Sequence, residues 1–525
     1  MVGRLDDILQ AWRGRAGPVI FDAENREIDA AGFEALIAGA ERWLRGLGIG
    51  AGDRIALWLV NRPEWLAILF ACARIGAAVA AVNTRYRSSE LTHILHSSGA
   101  KLLVLAPGFG NINFLEILAG LDGADLPELE RIALVDAGTV LPARLIGRPV
   151  VRADLSPAAS TGPDGKSDPD AALIFFTTSG TTSAPKLVIH PQRTLTRHAM
   201  RAAAAYGFDE EGAALLAAMP FCGVFGLSAT LAAIAGGAPL AIMAMFEGAE
   251  GARRVRAQGI THIIGSDELF RRLLEEGEDV LSRTRLCGYA TFNPAIAETL
   301  QQAARAGVAL RGLYGSSEVG AIFAVQEAGR PLAERLQGGG RPASPEAEVR
   351  IRDPESGGLL PPGVPGEIEI RAPTNFTGYF RNPEATAKAV DADGFFRSGD
   401  MGYLRGDGSF VYAARMGDAV RLSGFLTDPA EIEEVLRAAP GVAEAQVVTV
   451  TEGGQQRPAA FVVGAQGTVD TAAVTAYARD RLASYKVPIR IWEIGSFPVT
   501  NSANGEKIQR GRLRTMAQDR IRDEA

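Results

Sequence analysis

The chain has 525 residues, with 54 basic against 61 acidic side chains, a net charge of −7, 47% hydrophobic residues and 22% charged residues. That length buries a large core without disulfides, and the ordinary globular composition excludes a collagen, a coiled coil, a disulfide scaffold or a wholly disordered chain. The acidic balance supplies no global basic field for nucleic acid, and the three cysteines and five histidines match no zinc or disulfide pattern.

The N-terminal stretch carries Asp6 and Asp7 where an export signal needs an apolar core, so the expected compartment is the cytoplasm. Residues 33–48 are amphipathic at helical spacing and stop at glycine. Residues 53–60 read as a strand, 62–82 as a helix running into a strand, and 101–107 as another strand. Alternating β and α elements predict parallel sheets covered by helices. His93 and His96 lie three apart without visible partner ligands and read as structural or surface residues. The Pro/Gly/Ser-rich segment 156–168 reads as a surface loop or linker.

Apolar strands recur at 173–177, 215–219, 240–245, 262–265 and 308–312. Residues 212–246 carry no charge, a length sufficient to span a bilayer. Pro220, Gly223, Gly226, Gly236, Gly237 and Pro239 break that run into a strand (215–219), a helix (227–234) and a strand (240–245). It is therefore expected to be buried core, with no integral membrane segment. Beyond residue 346 the segments turn short and alternating between Gly, Pro and Asp turns, which predicts antiparallel β structure. The end of the chain reads as a small α+β unit. The expected domains are 1–415 and 416–525.

The strongest local signal is AALIFFTTSGTTSAPKLVIH, residues 171–190. An apolar strand runs into Thr178, Ser179, Gly180, Thr181 and Thr182, then Pro185 and Lys186. Small hydroxyl residues and a glycine let backbone N–H groups close around phosphate oxygens, and a lysine adds a point charge. It is not a Walker A loop, because Pro185 precedes the lysine and Leu187 follows it. Only six of the 54 basic residues are lysines, so a retained lysine is informative.

TTSGTTSAPK resembles the phosphate loop of the adenylate-forming superfamily, which comprises acyl-CoA synthetases, peptide-synthetase adenylation domains and beetle luciferases. Further motifs follow in the family's order. RGLYGSSEVG (311–320) is similar to the aromatic–Gly–x–Thr–Glu motif, and Ser398–Asp400 to Thr-Gly-Asp. AARMGDAVRLSGFLTDPAEIEEVL (413–436) is similar to the hinge and first elements of the C-terminal domain, and PVTNSANGEKIQRGRLR (498–514) to the final lysine motif. The resemblance covers residues 20 to 515 and points to the acyl-CoA synthetase branch. It implies an α/β fold: a large N-terminal domain of packed α/β subdomains plus a β-barrel-like part, followed by a small mobile α+β C-terminal domain.

The resemblance implies that ATP and a small-molecule carboxylate form an acyl-adenylate, and that the acyl group then passes to CoA. Thr178, Ser179, Gly180, Thr181, Thr182 and Lys186 would hold phosphates, and Glu318 would ligand Mg²⁺. Ser317 would lie near the α-phosphate, Tyr314 would stack on adenine, and Gly288 and Ala290 would form the adenine wall. Asp400 and Arg415 would reach the ribose, and Lys507 would be catalytic in adenylation. Gly223, Phe225 and Gly315 would border the acyl pocket, Gly424 the CoA tunnel, and Asp418 would be the hinge. Leu227, Phe292, Ile322 and Phe323 are further apolar pocket candidates, which leave aliphatic and aryl acids both open.

Several positions depart from the family pattern. Ser183 and Gly417 replace a glycine and a lysine, and the final motif is lengthened, with Glu506 before Lys507. Gly223 stands where the family usually has His or an aromatic residue, which should enlarge that corner of the acyl pocket. No acid occupies 221–225 to bind an amino group, so a carboxylate without one is expected. The alternatives are a stand-alone enzyme loading a carrier-protein thiol and a non-catalytic nucleotide-binding relative. Nothing signals the oxygen chemistry of the luciferases.

Overall fold

A computed structural model of the protein describes every residue except 1–2, 137–140, 161, 163–166, 178–184, 278, 291–296, 417–419, 423–424, 428, 453–454, 466–467, 483–485, 503–504 and 525. The side chains of 420–422, 425–427, 431, 455, 501–502 and 505–507 also lie outside the description. The chain forms two packed units. One comprises Met1–Thr291, Ile296–Glu348 and Arg371–Phe396, and the other Val349–Ile370 and Arg397–Ala525.

The first unit bears out the alternation of strands and helices. A nine-stranded sheet has its parallel centre in Ala172–Thr177, Ala78–Ala81, Arg54–Trp58, Leu102–Leu105, Arg131–Leu134 and Arg148–Arg152. Leu187–Pro191 and then Gly378–Tyr379 add antiparallel strands at one edge. The helix Pro63–Ile75 illustrates the local logic. Proline opens it, where a missing N–H costs nothing, and Gly76 ends it at φ 76°. It is buried along its length except at Glu64. The helix Ala30–Gly46 starts where the Asp29 carboxylate accepts from Gly32 N–H.

A second parallel ladder orders Ile20–Phe21, Leu240–Ile242, Leu215–Ala217, His262–Ser266, Leu286–Ala290 and Leu310–Ser316. Gly320–Val325 turns back antiparallel on the last of these. The uncharged run 212–246 is mostly core, as expected, with its helix at Val224–Ala235 and its strands ending at Ala217 and Ile242, while Gly212 and Met245 are exposed. Among the described residues no helix is long and apolar enough to cross a membrane.

In the second unit Phe396–Leu404 and Phe410–Arg415 pair antiparallel, as the alternating pattern implies, beside Gly366–Arg371 and Glu348–Arg352. A three-stranded sheet follows, built from Val442–Glu452, Gln455–Gly464 and Ile491–Glu493. The helices Pro429–Arg437, Thr471–Arg479 and Arg510–Glu524 complete that part. Ile432, Leu436, Val447, Ala460 and Val474 form one apolar cluster there, and Val448, Phe461 and Leu513 belong to another. Alternate side chains of one strand thus feed opposite faces.

Candidate active site

Each unit holds its own group of the predicted residues. In the first, Thr177 pairs with Leu187, so the strands flanking the glycine-hydroxyl loop lie side by side. Thr178, Ser179, Gly180, Thr181, Thr182 and Ser183 themselves lie outside the described residues. The ends of the loop are anchored. Tyr86 donates its hydroxyl to Thr177 Oγ1 at 2.9 Å, and His93 Nε2 donates to the Pro185 carbonyl at 3.0 Å. Lys186 follows at once, with its ammonium 4.8 Å from the centre of the Tyr379 ring. His96 instead meets the Asp125 carbonyl at 2.8 Å, so the two histidines do not converge.

The motif 311–320 folds as a strand, a bulge and a tight return. Tyr314 pairs with Ala324 and Ser316 with Gly320, with the register shifting between them. A Cβ on Gly315 would lie 2.3 Å from the Ala321 carbonyl carbon, so the hairpin itself requires glycine there. Gly320 closes the return at φ 87°, which favours glycine. A Cβ on Gly288 would meet Ile264 and Leu313 side chains at 2.8 and 3.0 Å, so that strand packs tightly from below. Ala290 ends the same strand, and Tyr314 is buried.

The return carries Ser317 and Glu318, and three contacts fix it. His190 Nε2 donates to the Ser317 carbonyl at 2.7 Å, and Phe376 N–H donates to the Glu318 carbonyl at 2.7 Å. Tyr379 donates its hydroxyl to Glu318 Oε1 at 2.9 Å. Burial lowers both His190 and His198 to about 4, so both are neutral near neutrality. His198 Nε2 is buried without a hydrogen-bond partner and lies against Gly320.

Gly223 caps the helix Val224–Ala235 with extended backbone and is half-buried. The turn before it is held by Asn61. Its amide donates to the Met219 carbonyl at 2.8 Å, and its Oδ1 accepts from Phe221 N–H at 2.7 Å. Phe225, Leu227, Ile322 and Phe323 are buried, and Phe292 lies outside the described residues.

In the second unit Ser398 Oγ donates to the Ile368 carbonyl at 2.6 Å and accepts from Asp400 N–H at 3.0 Å. Gly399 sits at φ 67°, and its N–H donates to Glu367 Oε1 at 3.2 Å. Burial, with Glu369 nearby, holds the Glu367 carboxyl above its usual range. Arg415 NH1 donates to Asp400 Oδ1 at 2.7 Å, from a guanidinium side chain 55% exposed to a carboxylate 6% exposed.

Gly417, Asp418 and Gly424 lie outside the described residues. Lys507 lies on a strand rather than a loop. Gly505–Ile508 pairs with Val499–Ser502, and Lys507 faces Thr500 in register. Just beyond, Arg510 NH2 donates to both oxygens of the buried Glu433 at 2.8 and 3.0 Å.

Sequence reasoning missed Tyr379, His190, Asn61, Glu367 and Arg510. Each acts through a partner distant in the chain, so no local motif exposes it. Among the described residues no group of three or more potential ligands forms a metal centre. Glu318 nevertheless fits a divalent cation shared with substrate phosphates. Its side chain is almost wholly buried, forms no ion pair among the described residues, and has one oxygen engaged by a neutral phenol.

Comparisons with known proteins agree with this architecture. Residues 16–380 match the family model described as AMP-binding enzyme, and 431–504 match its C-terminal domain. The chain is 32% identical over 511 residues to the 3-[(3aS,4S,7aS)-7a-methyl-1,5-dioxo-octahydro-1H-inden-4-yl]propanoyl:CoA ligase of Mycobacterium tuberculosis, covering 94% of this chain and 95% of that one. It is 31% identical over 490 residues to the 2-succinylbenzoate–CoA ligase of Geobacillus kaustophilus, covering 92% of each. The crystal structure of MatB from Rhodopseudomonas palustris has the same fold, with a TM-score of 0.79 at 24% identity and 99% coverage of both chains. The chain belongs to the AMP-binding enzyme family, in the acyl-CoA synthetase branch of the adenylate-forming enzymes, and is an ATP-dependent, AMP-forming ligase.

Proposed function

We propose that the protein activates a ring-bearing carboxylic acid with ATP and transfers the acyl group to CoA. A carboxylate oxygen attacks the α-phosphorus, and the bond to pyrophosphate breaks. The CoA sulfur then attacks the acyl carbon, AMP departs with the former carboxylate oxygen, and the thiol proton is released. The observation that carries the reading is Glu318, buried and free of any described ion pair, joined through Tyr379 to Lys186 at the exit of the glycine-hydroxyl loop. The acids in the names of the two relatives both carry rings, and Gly223 removes a side chain at the corner where a bulky acid needs space.

We assign phosphate binding to Thr178, Ser179, Gly180, Thr181, Thr182 and Lys186, and nucleotide contacts to Gly288, Ala290, Tyr314, Ser317, Asp400 and Arg415. Glu318 would hold Mg²⁺, which neutralises phosphate charge when bound. Gly223 and Phe225 border the acid, while Gly315 serves the hairpin that bears Ser317 and Glu318. Lys507 acts in adenylation, and Gly424 lines the path of CoA. Residues 1–415 and 416–525 act as the functional domains, with Asp418 as the hinge. The need for ATP and CoA suits the cytoplasm.

The test is ATP-dependent pyrophosphate release over aryl, fused-ring, fatty and dicarboxylic acids, with CoA or a phosphopantetheinyl carrier as acceptor. Release with ring acids and thioester formation on free CoA are expected. Thioester formation on the carrier alone, or no release with any acid, would overturn the reading.

A further inference from the structure

The segment 376–380 ties together two parts of the first unit that the sequence keeps far apart. Thr377 N–H donates to the Ile189 carbonyl at 3.1 Å, and Phe380 N–H to the Leu187 carbonyl at 2.8 Å. Both acceptors lie on the strand that leaves the glycine-hydroxyl loop. On the other side, Phe376 N–H donates to the Glu318 carbonyl at 2.7 Å. One short segment therefore binds the loop's exit strand to the turn bearing the acid. Tyr379 lies inside this brace, and its backbone is itself fixed. Its N–H donates to Thr386 Oγ1 at 2.9 Å, and Gly378 and Tyr379 pair with Ile189 and Val188.

From that fixed backbone the side chain serves two groups at once. Its hydroxyl donates to Glu318 Oε1 at 2.9 Å, and its ring lies 4.8 Å from the Lys186 ammonium. Phe376 packs edge-on against the ring, with centroids 5.0 Å apart, which limits its rotation. A phenol is suited to this place. It is neutral, so it orients a carboxylate without cancelling the charge a cation needs, as an arginine would. Its π face attracts an ammonium without forming an ion pair that phosphate would have to break. Donors that hold a ligating carboxylate set its orientation and tune its affinity.

We propose that Tyr379 is a positioning residue for adenylation, orienting Glu318 for a divalent cation and Lys186 for the nucleotide phosphates. The proposal rests on the phosphate and metal roles assigned above to Lys186 and Glu318. It adds that the two are set by one side chain. The hydroxyl and the ring then have separable effects, and conservative variants can divide them.

The experiment uses the full-length protein, with Mn²⁺ as a spectroscopic probe replacing Mg²⁺. Mn²⁺ binding to the enzyme–ATP complex is followed by electron paramagnetic resonance without any acid substrate, so the result does not depend on which acid the enzyme accepts. Tyr379→Phe keeps the ring and removes the hydroxyl. It should weaken Mn²⁺ binding about tenfold while changing metal-free ATP binding less than about twofold. Tyr379→Leu removes the ring too and should additionally weaken metal-free ATP binding several-fold. Glu318→Gln serves as reference and should abolish the enzyme's contribution to Mn²⁺ binding. Thermal melting of each variant reports folding, and Phe fills the same space as Tyr. Unchanged Mn²⁺ affinity in Tyr379→Phe, beside a loss in Glu318→Gln, would overturn the hydroxyl's role. Equal metal-free ATP affinity in the Phe and Leu variants would overturn the ring's role. No loss in Glu318→Gln would overturn the metal assignment on which the proposal rests.

Discussion

Glu318, at the return after its strand in the first unit, and Asp400, inside the strand Phe396–Leu404 in the second, are both buried carboxylates, yet they are held in opposite ways. Asp400 is met by a full positive charge, with Arg415 at 2.7 Å, and its strand is held there by Ser398 and by Gly399 N–H on Glu367. Glu318 is met by the neutral Tyr379 hydroxyl, and its turn is fixed through the backbone by His190 and Phe376. Burying an unpaired carboxylate is costly, so a site that leaves one uncompensated reserves its charge for an incoming partner. A carboxylate already paired with arginine suits neutral hydroxyls, such as those of a ribose, which need an oriented acceptor rather than a counter-charge. On the roles proposed above, the type of neighbour would separate a metal-binding acid from a sugar-binding one.

The largest expected effect lies outside both of these places. Lys507→Ala should lower ATP–pyrophosphate exchange by roughly 10²–10³-fold, as losing a preorganised charge at developing transition-state charge does. It should leave thioester formation from supplied acyl-adenylate intact. Equal loss of both half-reactions would show that the second unit contributes binding alone. Next, Glu318→Gln should cut kcat by about 100-fold, with a loss that excess Mg²⁺ relieves only partly. By contrast, Asp400→Asn should raise the KM for ATP by roughly tenfold or more, because charge-assisted hydrogen bonds are worth about 1.5–3 kcal/mol. Metal dependence in Asp400→Asn matching that of Glu318→Gln would break the distinction between the two acids.

A smaller effect concerns the acyl corner. Gly223→His should reduce kcat/KM for fused-ring acids by about 10–200-fold relative to benzoate-sized ones. A parallel change across the size series would remove Gly223 from the acid's surroundings. The smallest effect sharpens the account of the turn at Glu318. His198 has its pKa lowered from 6.5 to about 4 by burial, so the unfolded chain binds more protons between those values. Its contribution to stability is present above pH 6.5 and is lost as pH falls toward 4. Its replacement by Phe should make the fall in urea-unfolding free energy between pH 6.5 and 4.5 shallower by about 1–3 kcal/mol. An unchanged slope would mean that His198 is not buried neutral beside Gly320.

The family, the fold class and the reaction were legible in the sequence because the motifs that point to them are contiguous. Lys186 and Lys507 stand out in a chain that otherwise prefers arginine, and the glycine-hydroxyl run lies directly after an apolar strand. Period-two and period-3.6 patterns were enough to separate the parallel sheets from the later antiparallel ladder. The brace was not legible. Tyr379 and Glu318 are 61 residues apart, and His190 and Ser317 are 127 apart. Such pairs meet only because the sheet brings their strand ends together. At Gly315 the backbone of its own hairpin fills the place a side chain would take. Sequence shows that a glycine is present, not whether ligand or backbone needs the room.

The Arg510–Glu433 ion pair gives the lengthened C-terminal motif a direction. Arg510 is clamped to a carboxylate with no solvent exposure, and Gln446 accepts from its Nε at 3.0 Å. Lys507 precedes that clamp by three residues along the chain, and Ser502 pairs with Gly505 on the other side of it. Length added before Gly505 therefore leaves the distance along the chain from lysine to clamp untouched. Evolution or an engineer can change the chain before Gly505 without altering that spacing, while an insertion between Lys507 and Arg510 would move the clamp by one residue relative to the lysine.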